Sequence, residues 1–130
     1  AKMEAIKRNS RVRVVFDESN SRYALSLNGG SDDTLSSIND NENLKIVSLS
    51  KYPQVSYGAG QASFDATNDE DTLPNDYISF THNVVSFDSD GIASPGYVYL
   101  ENSKDEAYAI GALFSGLIIL KKWKNNAWDN

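Results

Sequence analysis

The first sixteen residues, Ala1-Lys2-Met3-Glu4-Ala5-Ile6-Lys7-Arg8-Asn9-Ser10-Arg11-Val12-Arg13-Val14-Val15-Phe16, switch from a basic helical pattern to strand alternation within a few positions. Residues 1–8 are good helix formers, and Met3 and Ile6, three apart, share one face. A helix this short is marginal in water, because its nucleation is not recovered by propagation. The pattern therefore reads as the end of a longer helix, covering residues 1–10, that packs through Met3 and Ile6 on the β-rich remainder of the chain. The first segment of that remainder is a strand: Val12, Val14 and Phe16 alternate with Arg11, Arg13 and Val15.

The rest of the chain reads almost entirely as short strands. Tyr23, Leu25 and Leu27 share a face, and Asp17 to Asn20 before them is turn chemistry, so the two segments make a hairpin. Residues 29–43 are rich in Gly, Ser, Asn and Asp and are expected to form a surface loop. Leu44 to Ser50 and then Val55 to Tyr57 resume a β pattern, with Pro53 marking an edge or a bend. A second acidic loop spans 66–76. Tyr77 to Phe80 and Val84 to Phe87 are expected as strands on either side of Thr81-His82-Asn83. Tyr97 to Leu100, Ala107 to Phe114 and Leu117 to Trp123 read as three antiparallel strands joined by short turns at 102–105 and 115–116. A helix over 105–120 is the alternative, disfavoured by Gly111, Gly116 and the β-branched run at Ile118.

Composition narrows the function. With 130 residues the chain has the length of a single domain, and 40% hydrophobic content is too high for a disordered one. The net charge of −6 is segregated: residues 1–13 carry +4, residues 121–130 carry +2, and the middle carries −12. Such a surface repels nucleic acid and anionic lipid non-specifically, and Lys121, Lys122, Trp123 and Lys124 are too few for a nucleic-acid footprint. They read better as protective lysines on a solvated edge strand. The segregation reads first as basic termini that lie near each other and aid solubility; the alternative is an oriented contact with acidic neighbours, which sets register more than affinity. No cysteine is present, so neither disulfides nor thiol chemistry are available.

Candidate chemistry is sparse. His82 is the only histidine and has no nucleophile placed near it by sequence, which favours a turn or core role over catalysis. Asp69, Glu70 and Asp71 lie in a polar run where like charges are simply solvated. Asp88-Ser89-Asp90-Gly91 resembles the start of a calcium loop but lacks the later bidentate glutamate. No metal, cofactor or catalytic set is expected.

Three segments carry a resemblance. Glu4 to Val12 is similar to the helix-to-strand junction of H-type minor pseudopilins of type II secretion and of the FimT-like minor type IV pilins. Val85 to Leu100, with Phe87, a turn containing Gly91 and a second glycine at Gly96, resembles the turn motif of that family. Ala107 to Ile110, Gly116, Trp123 and Trp128 resemble its closing strands. Two departures, the missing Trp-Gly segment after the first strand and Leu117 where an arginine is frequent, leave both branches open.

The resemblance implies an α+β, pilin-like fold: the C-terminal part of a long N-terminal helix packed on antiparallel sheets, two of them facing, in one domain over 1–130. It implies a non-catalytic subunit, its N-terminus methylated, that assembles through the helix into a type II secretion pseudopilus or type IV pilus. Its partners are then other pilin or pseudopilin subunits, and the full-length protein is anchored in the inner membrane with a periplasmic head. A secreted β-sandwich binding or adhesion module is the competing reading, suggested by seven tyrosines, two tryptophans and long polar loops.

Overall fold

The computed structural model describes residues 1–27 and 43–130. The loop expected over 29–43 lies outside the described residues apart from its last position. One short helix, α1 (Lys2–Arg8), precedes two antiparallel sheets. The first has four strands: β1 (Val12–Asp17), β2 (Arg22–Leu27), β3 (Asn43–Ser48) and β5 (Val84–Phe87), in the order β3-β2-β1-β5. The second has five: β4 (Val55–Tyr57), β6 (Gly96–Asn102), β7 (Ala107–Ala112), β8 (Ile118–Lys124) and β9 (Ala127–Asp129), in the order β4-β6-β7-β8-β9. The two-sheet arrangement agrees with the α+β expectation. The long helix does not appear among the described residues, where the only α-helix has 7 residues.

Register explains which side chains meet. Val12 lies opposite Leu27 and Phe87, and Val14 opposite Leu25 and Val85, so these positions share the inner face. Val98 on β6 opposes Ile110 on β7, which in turn opposes Leu120 on β8. The inner faces meet in one core that includes Val12, Val85 and Phe87 from the first sheet and Tyr57, Val98 and Ala112 from the second. The Tyr57 hydroxyl donates to the Arg22 carbonyl at 2.7 Å, tying the edge strand β4 to the other sheet.

Val15 breaks the simple alternation for a structural reason. On the opposite face of the first sheet it packs with Ala24 and Val84, its cross-strand neighbours, so β1 is buried on both sides. The second sheet also carries a layer on its outer face. The segment between β4 and β5 lies over it, with Ala59 and Ala66 against Tyr97, Tyr99 and Ala109. Trp128 closes this layer: its indole N–H donates to the Phe64 carbonyl at 2.8 Å, and Trp123 stands edge-on to both Phe64 and Trp128 at 4.9 and 5.3 Å.

Three sequence expectations are corrected. Tyr77 to Phe80 is not a strand, because only Ile78 forms a bridge, to Val98. The segment from Leu44 ends its pairing at Ser48 and turns into a 3-10 helix over Leu49–Lys51, whose start is tied by the Ser48 hydroxyl accepting from the Ser50 amide. The lysine-bearing strand β8 is an edge only in part: β9 pairs beyond it at Lys122–Lys124, while Ile118–Lys121 have no partner on that side among the described residues. In the helix expected to pack through Met3 and Ile6, Ala5 is fully buried, while Met3 and Ile6 are 73% and 45% exposed.

Candidate functional site

The sequence singled out a helix, two turns and four glycine or aromatic positions, and the structure brings most of them to one end of the sandwich. The helix ends at Asn9, held in the left-handed region at φ 50°. The Asn9 amide donates to the Ile6 carbonyl and the Ser10 amide to the Ala5 carbonyl, a Schellman stop that frees the chain to enter β1. Asparagine suits this position because it tolerates positive φ better than most residues. Just beyond it, Arg11 Nε donates to Asp88 Oδ1 at 2.7 Å, joining the exit of the helix to the turn between β5 and β6.

That turn is built by Asp88 to Gly91. The Gly91 amide donates to the Asp88 carbonyl, the Asp88 amide to the Ile92 carbonyl, and Asp90 Oδ1 accepts from the Ile92 amide. The second turn, between β7 and β8, closes when the Gly116 amide donates to the Leu113 carbonyl and the Leu113 amide to the Leu117 carbonyl. Gly91 and Gly116 both have φ near +85°, where only glycine is at ease. The two turns touch: a Cβ on Gly116 would overlap the carbonyl oxygen of Gly91. The Ala93 amide donates to the Phe114 carbonyl and locks the pair further.

The helix sits on this double turn. Lys2 Nζ donates to the Gly116 carbonyl at 3.0 Å, and the Ile6 side chain reaches the position a Cβ of Gly91 would face. Ile6, Gly91 and Gly116 therefore converge. Phe87 is buried in the core immediately below, where it bridges to Ala93. Met3 projects beside them, largely exposed. Gly96 does a separate job: it lets the Phe80 ring lie directly on the start of β6.

This end of the molecule gathers most of the large apolar side chains that are exposed among the described residues. Met3, Ile6, Leu113, Phe114, Leu117 and Ile118 lie on the helix and the β7–β8 turn, and Leu120 continues along β8. Their exposure leaves an apolar rim around the double turn.

No reacting constellation accompanies them. Asp88 is taken by Arg11 and Asp90 by its own turn, and among the described residues no group of acidic and histidine side chains is placed to hold a metal. His82 is exposed at the opposite end, in a short turn with positive φ, beside Asp17, Glu18 and Asp76. Two of the three lysines of β8 have partners within the head. Lys121 donates to the Ala66 carbonyl and lies over the Tyr97 ring, while Lys122 pairs with Glu106 at 2.7 Å and lies over Tyr108.

The titratable groups follow their surroundings. The hydrogen bond from Arg8 holds Glu4 below the usual carboxylate range, and Lys122 and Asn102 do the same for Glu106. The Glu106 carboxylate in turn raises Lys122. Partial burial opposes ionisation of Asp17, yet hydrogen bonds from Arg22 and Asn20 outweigh it and the carboxyl titrates low. Burial pushes both Tyr57 and Tyr99 upward. These are structural tunings; none creates a group poised to exchange protons near neutrality.

The comparisons agree with the junction. The model of the type II transport protein GspH family matches residues 1–116, a span that contains the helix, both sheets up to the second turn, and Gly116 itself. The chain belongs to that family. Comparison with curated proteins and with solved structures gives no match. Membership in the GspH family gives the chain a pseudopilin role in type II protein secretion, within a family of structural, non-catalytic components of the periplasmic pseudopilus. Among the described residues no helix is long and apolar enough to cross a membrane. Sequence reading missed β9 and the aromatic layer closed by Trp128, for which the paired tryptophans were the available signal.

Proposed function

We propose that this chain is a minor pseudopilin head, one compact domain over 1–130, that enters the pseudopilus through the helix to which α1 belongs and anchors in the inner membrane through that same element. The observation that carries this reading is the convergence of Lys2 and Ile6 with Gly91 and Gly116, which couples the helix rigidly to two turns of the head. A subunit that is pulled or packed by its helix needs such a joint, because force applied to a freely hinged seven-residue helix would not orient the head. The exposed apolar side chains around the joint supply a contact surface for neighbouring pseudopilin subunits. Phe87, Gly91, Gly96 and Gly116 are on this view positioning residues that shape the joint and the sheet above it.

The competing adhesion-module reading loses its main support. Both tryptophans and two of the tyrosines that suggested a binding face are packed on one another and on the overlying segment: Tyr99 lies 6.3 Å from Tyr97 and 5.4 Å from Trp128, and the Tyr99 hydroxyl accepts from the Ala66 amide inside the fold. Fractionation of cells expressing the gene from its native start tests the proposal. The product is expected in the inner membrane and periplasmic filament fractions; a product confined to the cytosol refutes it.

A further inference from the structure

The inner faces of the two sheets leave a hollow of about 250 Å³ between them. Its walls come from β1 and β2 on one side and from β6 and β7 on the other, and Leu49 and Tyr57 close the corner where the chain crosses between the sheets. No residue of α1, β8 or β9 lines it, so neither end of the chain forms any of its wall. It adjoins the space under the first turn of α1 across Val98 and Ile110, but Tyr23, Leu49, Tyr57 and Leu100 belong to this hollow and not to that space. The walls are held apart by contacts made elsewhere. The Phe16 ring is stacked on Phe80 at 5.7 Å, the Tyr57 hydroxyl is engaged by the Arg22 carbonyl at 2.7 Å, and Val98 and Ile110 are fixed opposite each other in the β6–β7 ladder. Surroundings that relax only in part leave a cavity open.

We propose that this hollow binds a small neutral aromatic molecule, a single ring with a short alkyl substituent. Three features select that chemistry. No charged side chain lines the hollow among the described residues, and the Tyr57 hydroxyl already has its acceptor, so a charged guest would be buried without a partner. The size fits, since an apolar cavity of about 150 Å³ stays dry and accepts benzene, and the larger space here takes a substituted ring. The rings of Phe16, Tyr23 and Tyr57 in the wall offer both edges and faces, which favours an aromatic guest over an aliphatic one of the same volume. The inference stands apart from the filament reading, because the hollow belongs to the folded head whatever the head assembles with.

The test is titration of the folded chain with toluene, followed by methyl-resolved NMR. Saturable one-to-one binding is expected, with ring-current shifts at the methyl groups of Leu49, Leu100 and Ile110. Val85 and Ala112, which line only the space under the helix, and Ile46, which lines neither, are expected to stay in place. Methylcyclohexane is expected to bind more weakly than toluene, and benzoate at the same concentration to leave the spectrum unchanged. Leu100→Phe, which puts a ring into the hollow, is expected to weaken toluene by about tenfold. The three-ligand series on the unmodified chain decides the matter even if that variant fails to fold. Absence of saturation, benzoate binding as tightly as toluene, methylcyclohexane binding at least as tightly as toluene, or shifts at Val85 and Ala112 without Leu49 and Leu100 would each overturn the proposal.

Discussion

Substituting alanine at Gly116 tests the joint between helix and head at its tightest point. The residue is held at φ +85° and a Cβ there would overlap the Gly91 carbonyl oxygen, a backbone atom in a turn that itself depends on a positive-φ glycine. Two costs add. Placing an L-residue in the left-handed region costs roughly 1–2 kcal/mol, and forcing a methyl into closely packed surroundings costs roughly 1–3 kcal/mol. The backbone cannot absorb the overlap without breaking the Lys2 contact at 3.0 Å or the Ala93-to-Phe114 bond. The sum is about 2–5 kcal/mol against a total stability of about 5–15 kcal/mol for a domain of this kind. With a urea dependence of about 2 kcal/mol per molar, the unfolding midpoint falls by about 1–2.5 M. Urea titration followed by tryptophan fluorescence reads this directly, and Ser115→Ala, an exposed neighbour in the same turn, serves as the control with a change of no more than about 0.5 kcal/mol. If Gly116→Ala matches Ser115→Ala, the two turns are not in contact as described, and the reasoning about the joint fails.

Other consequences are as specific. Ala5→Leu overpacks the fully buried helix contact and is expected to cost about 1–3 kcal/mol in thermal or urea unfolding, whereas Met3→Ser, at 73% exposure, changes stability by less than about 0.5 kcal/mol; the reverse order would restore Met3 as the packing residue. Tyr99→Phe leaves the buried Ala66 amide without its acceptor and is expected to lose about 1–3 kcal/mol, with faster proteolytic nicking near Phe64 as a second readout. Asp17 titrates below its ordinary value of 3.8 in the fold, so its pairing with Arg22 contributes stability above that pH, which is lost as the pH falls further through the folded value. Stability measured downward from pH 5 is expected to fall below about pH 4, and Asp17→Asn is expected to flatten part of that slope.

Much of this architecture is legible in the sequence because strands declare themselves through alternation and turns through glycine and Asx residues. The β1–β2 hairpin follows from Val12, Val14 and Phe16 with the turn residues after them, and the β6-to-β8 meander from its apolar runs and short connections. Gly91 and Gly116 were visible as turn residues, but their contact was not, since nothing in a one-dimensional pattern brings position 91 to position 116. Tyr77 to Phe80 misled because its composition suits a strand while only Ile78 finds a partner; pairing is decided by the neighbour, not by propensity. The spacing of Met3 and Ile6 identifies a helix face but not its depth, and the fully buried position on this helix is Ala5. The edge also escaped, as Trp128 pairs opposite Trp123 from a segment of only three residues.

If the head is a pseudopilin subunit, its joint between helix and turns is needed in the assembled system. The most direct test is protein secretion in a host deleted for the gene and supplied with variants at equal cellular levels. The unmodified gene and His82→Ala are expected to restore secretion, and Gly116→Val is expected to fail even where the protein accumulates. Undiminished secretion in the deletion host, or full restoration by Gly116→Val, would contradict the account.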